Sequence, residues 1–199
     1  MCGIGARCFG TFAAALLHHD KTAPLPFETM AGVVTATFEK DGNVTVNLTN
    51  PHSMQLFVLN ADPTVGADVH FLNTGVPHAV AFLDKLEDLN ISRLGAYLRY
   101  HEAFSPKGTN ANFARILSPG HIAIRTYERG VEDETLACGT GMTACALLHA
   151  VLADAPSPIQ VDVAGGDTLK VGFQRTGDRF TDVTLTGPAD LVFTGDIQI

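Results

Sequence analysis

One pattern occurs twice in this chain and limits the folds open to it. Residues 2 to 17 read Cys2-Gly-Ile-Gly5-Ala-Arg-Cys8-Phe-Gly-Thr-Phe-Ala-Ala-Ala-Leu-Leu17, and a second stretch reads Cys138-Gly-Thr-Gly141-Met-Thr-Ala-Cys-Ala-Leu-Leu-His149. Both open on Cys-Gly-x-Gly and continue as an Ala/Leu-rich helix, with another cysteine six or seven residues on. Each helix is followed by Pro-x-Pro (Pro24 and Pro26, then Pro156 and Pro158) and by alternating strand sequence. A supersecondary unit repeated in the same order predicts two related α+β halves. The cysteines that begin the two helices, Cys2 and Cys138, then fall in equivalent settings.

The intervening chain reads mostly as strands. Phe27 to Asn50 alternates around Asp41-Gly42, a hairpin signal. Further strands are expected at 55–60, 69–72, 79–83, 110–117, 122–127, 159–163, 169–174, 182–186 and 191–193. Residues 89 to 100 carry Leu89, Leu94 and Leu98 on one stripe, predicting a helix capped by Asn90 or Ser92. The prolines at 24 and 26 mark a connector, because they forbid helix and favour extended chain.

Composition excludes some classes. A net charge of −8 with no basic run argues against general nucleic-acid binding. No window approaches the roughly 18–20 apolar residues of a membrane span, and the first residues lack the charged start and long apolar run of a secretory signal. Four cysteines without an export signal suggest reduced thiols in the cytoplasm. With neither Cys-x-x-Cys nor His-x-x-x-His, structural zinc is not expected.

A cysteine among Ala and Leu is ordinarily a small core residue, which suits Cys8 and Cys145. Cys2 and Cys138 differ, because free N–H groups and the positive end of the dipole at a helix start favour a thiolate and attract a carboxylate. Two thiols facing one carbon from opposite sides would invert it: one removes the α-proton, the other donates a proton to the opposite face. His78 is an orienting or acid–base candidate beside them. Glu128 and Arg129, leading into the second turn, could hold amino and carboxylate groups, and Asn110 and Asn112 are strand-end caps or ligand contacts. Gly-x-Gly here is not a dinucleotide fingerprint, lacking the third Gly and the preceding strand.

These residues resemble the diaminopimelate epimerase family. The likeness rests on Met1-Cys-Gly-Ile-Gly-Ala-Arg-Cys8, Phe27-Glu-Thr-Met-Ala-Gly32, Asn73-Thr-Gly-Val-Pro-His78, Thr109-Asn-Ala-Asn-Phe113, Tyr127-Glu-Arg-Gly130 through Glu134-Thr-Leu-Ala-Cys-Gly-Thr-Gly141, and Gly187-Pro188-Ala-Asp-Leu-Val-Phe193. The resemblance implies epimerisation of LL-diaminopimelate to the meso form with no cofactor and no metal, in lysine and cell-wall precursor biosynthesis. It makes Cys2 and Cys138 the catalytic pair, His78 and Glu128 their acid–base support, and Gly3, Asn73, Asn110, Glu128, Arg129, Gly139 and Thr140 the substrate contacts. Two positions depart from the family pattern. Ile4 stands where the first motif has Asn, and Val76 where many members have Asn before Pro-His, so that Asn73 takes over the polar work.

The resulting expectation is an α+β fold of two pseudo-symmetric halves, each a curved, mostly antiparallel sheet around a central helix. By the resemblance the first half is truncated at its start. Residues 1–60 are assigned to the first half, with a last strand near 187–199 returning to it, and 61–186 to the second. The expected partner is a small amino-acid substrate, with no nucleic acid and no membrane, and a homodimer is a candidate assembly. Two other readings remain at this point: a non-catalytic amino-acid-binding domain, and a racemase of another amino acid.

Overall fold

The computed structural model describes residues 2–198, so Met1 of the first motif and Ile199 lie outside the described residues. The order is α1 (Gly3–Leu16), β1 (Leu25–Thr29), β2 (Gly32–Phe38), β3 (Val44–Asn47), β4 (His52–Asp62), β5 (Ala67–Asn73), β6 (Pro77–Phe82), α2 (Ile91–Arg99), a 3-10 turn at Glu102–Phe104, β7 (Asn110–Ser118), β8 (His121–Glu128), β9 (Asp133–Thr135), α3 (Gly139–Ala153), β10 (Ile159–Asp162), β11 (Thr168–Thr176) and β12 (Arg179–Gly187). Eleven strands run in the order β1-β2-β3-β12-β11-β10-β8-β7-β6-β5-β4, and β9 pairs beside β8. Among the described residues only the β8–β10 and β6–β7 pairs are parallel. The class is α+β with a mostly antiparallel sheet, as the sequence leads one to expect.

The join between the two ends of the sheet is β3 against β12, with Val46 opposite Leu185. Leu185 is fully buried. A continuous core runs through this join, taking in Ala6 of α1, Val34 and Ala36 of β2, and the length of α3. A second core lies under α2, where Leu94, Leu98, Phe113 and Tyr127 pack together. Asn90 caps α2 by accepting the Arg93 N–H at 3.0 Å, which decides between the two cap candidates.

Several sequence expectations need revising. No strand forms at 191–193: past Gly187 the described chain is irregular, and Leu191, Val192 and Phe193 are exposed. Pro188 is still held, its carbonyl accepting from Arg7 Nε at 3.4 Å. β1 begins inside the expected Pro-rich connector. It pairs on one side only, with β2, and an edge strand tolerates the missing N–H of Pro26. Cys8 is exposed rather than core, because the buried face of α1 is Gly3, Ala6, Arg7, Gly10 and Ala14. The expected boundary between residues 60 and 61 falls within β4, which pairs with β5 at the far end of the sheet from β1.

Candidate active site

Both cysteine turns are helix N-caps with nearly the same backbone. Cys2 has φ −108° and ψ 110°, and Cys138 has φ −128° and ψ 107°. Their carbonyls accept the first intrahelical bonds, from Ala6 N at 2.9 Å and Met142 N at 2.8 Å. The next residue in each turn is glycine because the two helix starts meet there. A Cβ on Gly139 would lie 3.5 Å from both Cα and N of Gly3, and 3.1 Å from Leu185 Cδ2. A Cβ on Gly3 would press to 2.9 Å on the same Leu185 methyl. Leu185 is therefore a common floor for both turns, and each missing side chain is what lets the N-termini converge.

The two thiols differ in setting. Cys2 is exposed, and its sulfur accepts the Gly5 N–H at 3.4 Å. Cys138 is 6% exposed, with Thr140 Oγ1 3.6 Å from its sulfur. Burial first, and then the Glu128 carboxylate, push the Cys138 thiol above its usual pKa, although the Thr140 hydroxyl and Gly141 amide work the other way. This corrects the expectation of a thiolate-favouring turn. Removing a thiolate from water and facing it with a carboxylate both favour the neutral thiol. Cys145, about two helical turns deeper, is fully buried, and burial pushes its thiol up as well.

The remaining sequence candidates surround the second turn. Thr74 donates to the Thr140 carbonyl at 3.0 Å, fastening the Asn73–Pro77 loop to the first turn of α3. Asn73 accepts the Gly75 N–H at 2.9 Å. Glu128, at the end of β8, accepts from Thr135 Oγ1 at 3.0 Å. Asn110 is buried with its amide committed at both ends: Oδ1 accepts the Arg129 N–H at 2.8 Å, and Nδ2 donates to Pro77 O at 2.9 Å. It braces the loops that carry Asn73 and Arg129. Arg129 in turn donates to Lys107 O at 3.1 Å.

His78, on β6, is fully buried. Burial, and secondarily the charge of Arg129, hold its pKa down to about 3, so the ring is neutral at neutral pH. Asn112 Nδ2 meets His78 Nδ1 at 3.2 Å. Thr74 and Thr126 are structural neighbours that the sequence did not assign, and Asn112, expected as a cap or ligand contact, joins them. Asn112 was detectable from its spacing, since Asn110 and Asn112 alternate on one face of β7.

The candidates do not all share one cavity. Asn73, Pro77, Lys107 and Arg129 line a space of about 430 Å³ floored by Phe71 and Phe104. Cys2 lines another, of about 510 Å³, with Phe9, Phe27, Glu28 and Met30. Cys138 lines neither, its turn lying behind the 73–78 loop and against the start of α1. No helix among the described residues is long and apolar enough to cross a membrane.

The fold is that of solved PhzF-family and proline-racemase structures. A PhzF-family phenazine biosynthesis protein from Bacillus anthracis superposes with a TM-score of 0.68 at 14% identity, covering 94% of this chain and 73% of its own. A probable proline racemase from Agrobacterium radiobacter K84, solved with bound carbonate, gives 0.68 at 20% identity, covering 94% of this chain and 65% of its own. Sequence then narrows the class. The family model described as diaminopimelate epimerase matches residues 70–192. The diaminopimelate epimerase of Aquifex aeolicus is 41% identical over all of this chain and 70% of its own length, and that of Chlorobaculum tepidum 39% identical over all of this chain and 75% of its own. The chain belongs to the diaminopimelate epimerase family, and so to the isomerases.

Proposed function

We propose that this protein inverts the α-carbon of diaminopimelate, LL to meso, with Cys2 and Cys138 as a proton-donor and proton-acceptor pair. The observation that carries this reading is the meeting of Gly3 and Gly139 on Leu185, which brings the two cysteine caps to one place from opposite helices. Cys138, buried and raised in pKa, rests as the thiol. Cys2, exposed and accepting the Gly5 N–H, is the group free to become the thiolate base.

In one direction Cys2 takes the α-proton as the Cys138 S–H delivers its own to the other face, leaving Cys2 a thiol and Cys138 a thiolate. The reverse direction exchanges the roles. The amides of Gly3, Gly139 and Thr140 hold the α-carboxylate at the two helix N-termini and take up negative charge as the carbanion develops. In this reading Glu128 attracts the substrate ammonium, and Arg129 and Asn73 take a second carboxylate. A substrate with two amino-acid ends suits an arrangement in which Arg129 and Asn73 line a space apart from the thiols.

We assign this reaction, as the family resemblance implies, to lysine and cell-wall precursor synthesis in the cytoplasm. We also place the division between halves at residues 48–51, ahead of β4, following the strand pairing. A second reading, amino-acid binding without turnover, draws on Ile4 and on the separate cavity that Cys2 lines.

The test is deuterium entry at the α-carbon of diaminopimelate in D2O. Exchange should occur with the intact protein and fall by roughly 10²–10⁴-fold in Cys2→Ala and in Cys138→Ala. Binding of diaminopimelate without exchange favours the second reading, and full exchange in either variant would sink the two-thiol mechanism.

A further inference from the structure

Asn112 lies on β7, fully buried, and every polar atom of its amide is engaged. Nδ2 donates to Ala79 O at 2.9 Å and meets His78 Nδ1 at 3.2 Å, while Oδ1 accepts from Thr126 Oγ1 at 3.0 Å. The amide has one permitted orientation, because a carbonyl only accepts and Nδ2 must face Ala79 O. With one N–H on Ala79 O, the other points at His78 Nδ1. That ring nitrogen is then the lone pair, and the single ring proton of a neutral His78 sits on Nε2.

His78 Nε2 is itself buried and has no hydrogen-bond partner among the described residues. A donor fixed by a three-residue relay and left unpaired in the interior is held for something that arrives later. Its surroundings point to the second cysteine turn. A Cβ on Gly141 would drive into Asn112 Oδ1 and would lie 3.4 Å from Cys138 Sγ, so Asn112 and Cys138 border the same glycine.

We propose that Asn112, braced by Thr126, is a positioning residue that locks His78 as a neutral Nε2–H donor, reserved for the anionic groups of the bound state. His78 then acts by donating a hydrogen bond to a thiolate or carboxylate oxygen, not as a general base. This rests on the epimerase reading above and assigns His78 a narrower role than acid–base partner. The low pKa of His78 agrees with it, since a protonated ring would have no lone pair for Asn112 to meet.

Two readouts separate this inference from the function it serves. In the 15N-labelled protein, long-range 1H–15N correlation should place the His78 proton on Nε2, and a proton on Nδ1 would overturn the proposal. In Asn112→Asp the ionised carboxylate can only accept, so the proton should move to Nδ1. The kcat for α-deuterium exchange should then fall by roughly 10²–10⁴-fold with KM little changed. A moved proton with unchanged kcat would overturn the role of His78 as donor. If the aspartate variant does not fold, Asn112→Ala decides: mixed tautomers with reduced kcat uphold the proposal, and wild-type kcat overturns it. An Nε2–H in a wild type that exchanges no α-proton would uphold the tautomer and count against the epimerase reading.

Discussion

The starts of α1 and α3 have the same sequence pattern, the same cap geometry and a shared floor, yet the two helices are buried very differently. From Gly139 to Ala150 every residue of α3 is buried. In α1 only the stripe Gly3, Ala6, Arg7, Gly10 and Ala14 is buried, while Phe9, Phe12 and Leu16 are exposed. The cause is coverage. α3 touches β5 to β8 and β10 to β12, whereas α1 is covered by β1, β2 and β3 and meets α3 at its start. Equal local motifs therefore give unequal thiols, because the pKa of a cap cysteine is set by what surrounds the turn as well as by the turn itself.

Leu185→Ala should disturb both turns at once. Emptying a fully buried leucine site should cost about 2–5 kcal/mol by denaturant unfolding, and α-deuterium exchange should fall further than that of a variant equally destabilised elsewhere. Equal losses would mean that Leu185 supports the fold but not the spacing of the thiols.

Truncation along the helices breaks the symmetry next. Met142→Ala, in the buried α3, should cost about 2–5 kcal/mol. Phe12→Ala, on the open face of α1 at 59% exposure, should stay within about 0.5 kcal/mol. Comparable losses would show that the open face of α1 is covered in solution.

Alkylation resolves the thiols themselves. Peptide mass spectrometry after iodoacetamide treatment at neutral pH should find Cys2 and Cys8, both exposed, modified at least about tenfold faster than the buried Cys138, whose thiol burial pushes up. Cys145 should remain unmodified in the native protein. The smallest effect is electrostatic: Glu128→Gln removes one of the groups that raise the Cys138 pKa, so its alkylation–pH midpoint should move to lower pH. No shift would mean burial alone sets it.

Much of this was legible in the sequence, for identifiable reasons. The repeat exposed both helix starts because Cys-Gly-x-Gly is a local signal, complete within a few residues. α3 could be read as buried because the chain from Gly139 to Leu148 carries no charge. The facing of α1 was hidden, since Phe9, Phe12, Ala15 and Leu16 are apolar on the exposed side while the charged Arg7 turns inward. There burial lowers the Arg7 pKa, and Nη1 has no partner among the described residues. β9 and the 3-10 turn have three residues each, too short for any periodicity. The partnership of Asn112 with His78 depends on the parallel pairing of β6 and β7, Val80 opposite Asn112, and strand adjacency is not written in local sequence.

The pairing of β3 with β12 also has a temporal meaning. Thr45 and Thr186, bonded at 2.7 Å across this join, are 141 residues apart in sequence. A contact of such long range must close a large loop before it returns any stabilisation, and closure of this kind slows folding. On the ribosome, α1 emerges well before β12 and has to wait for it before the two cysteine turns can share the Leu185 floor. Until then the two thiols belong to unconnected pieces of chain, so that completing the sheet and assembling the proposed acid–base pair are a single late event.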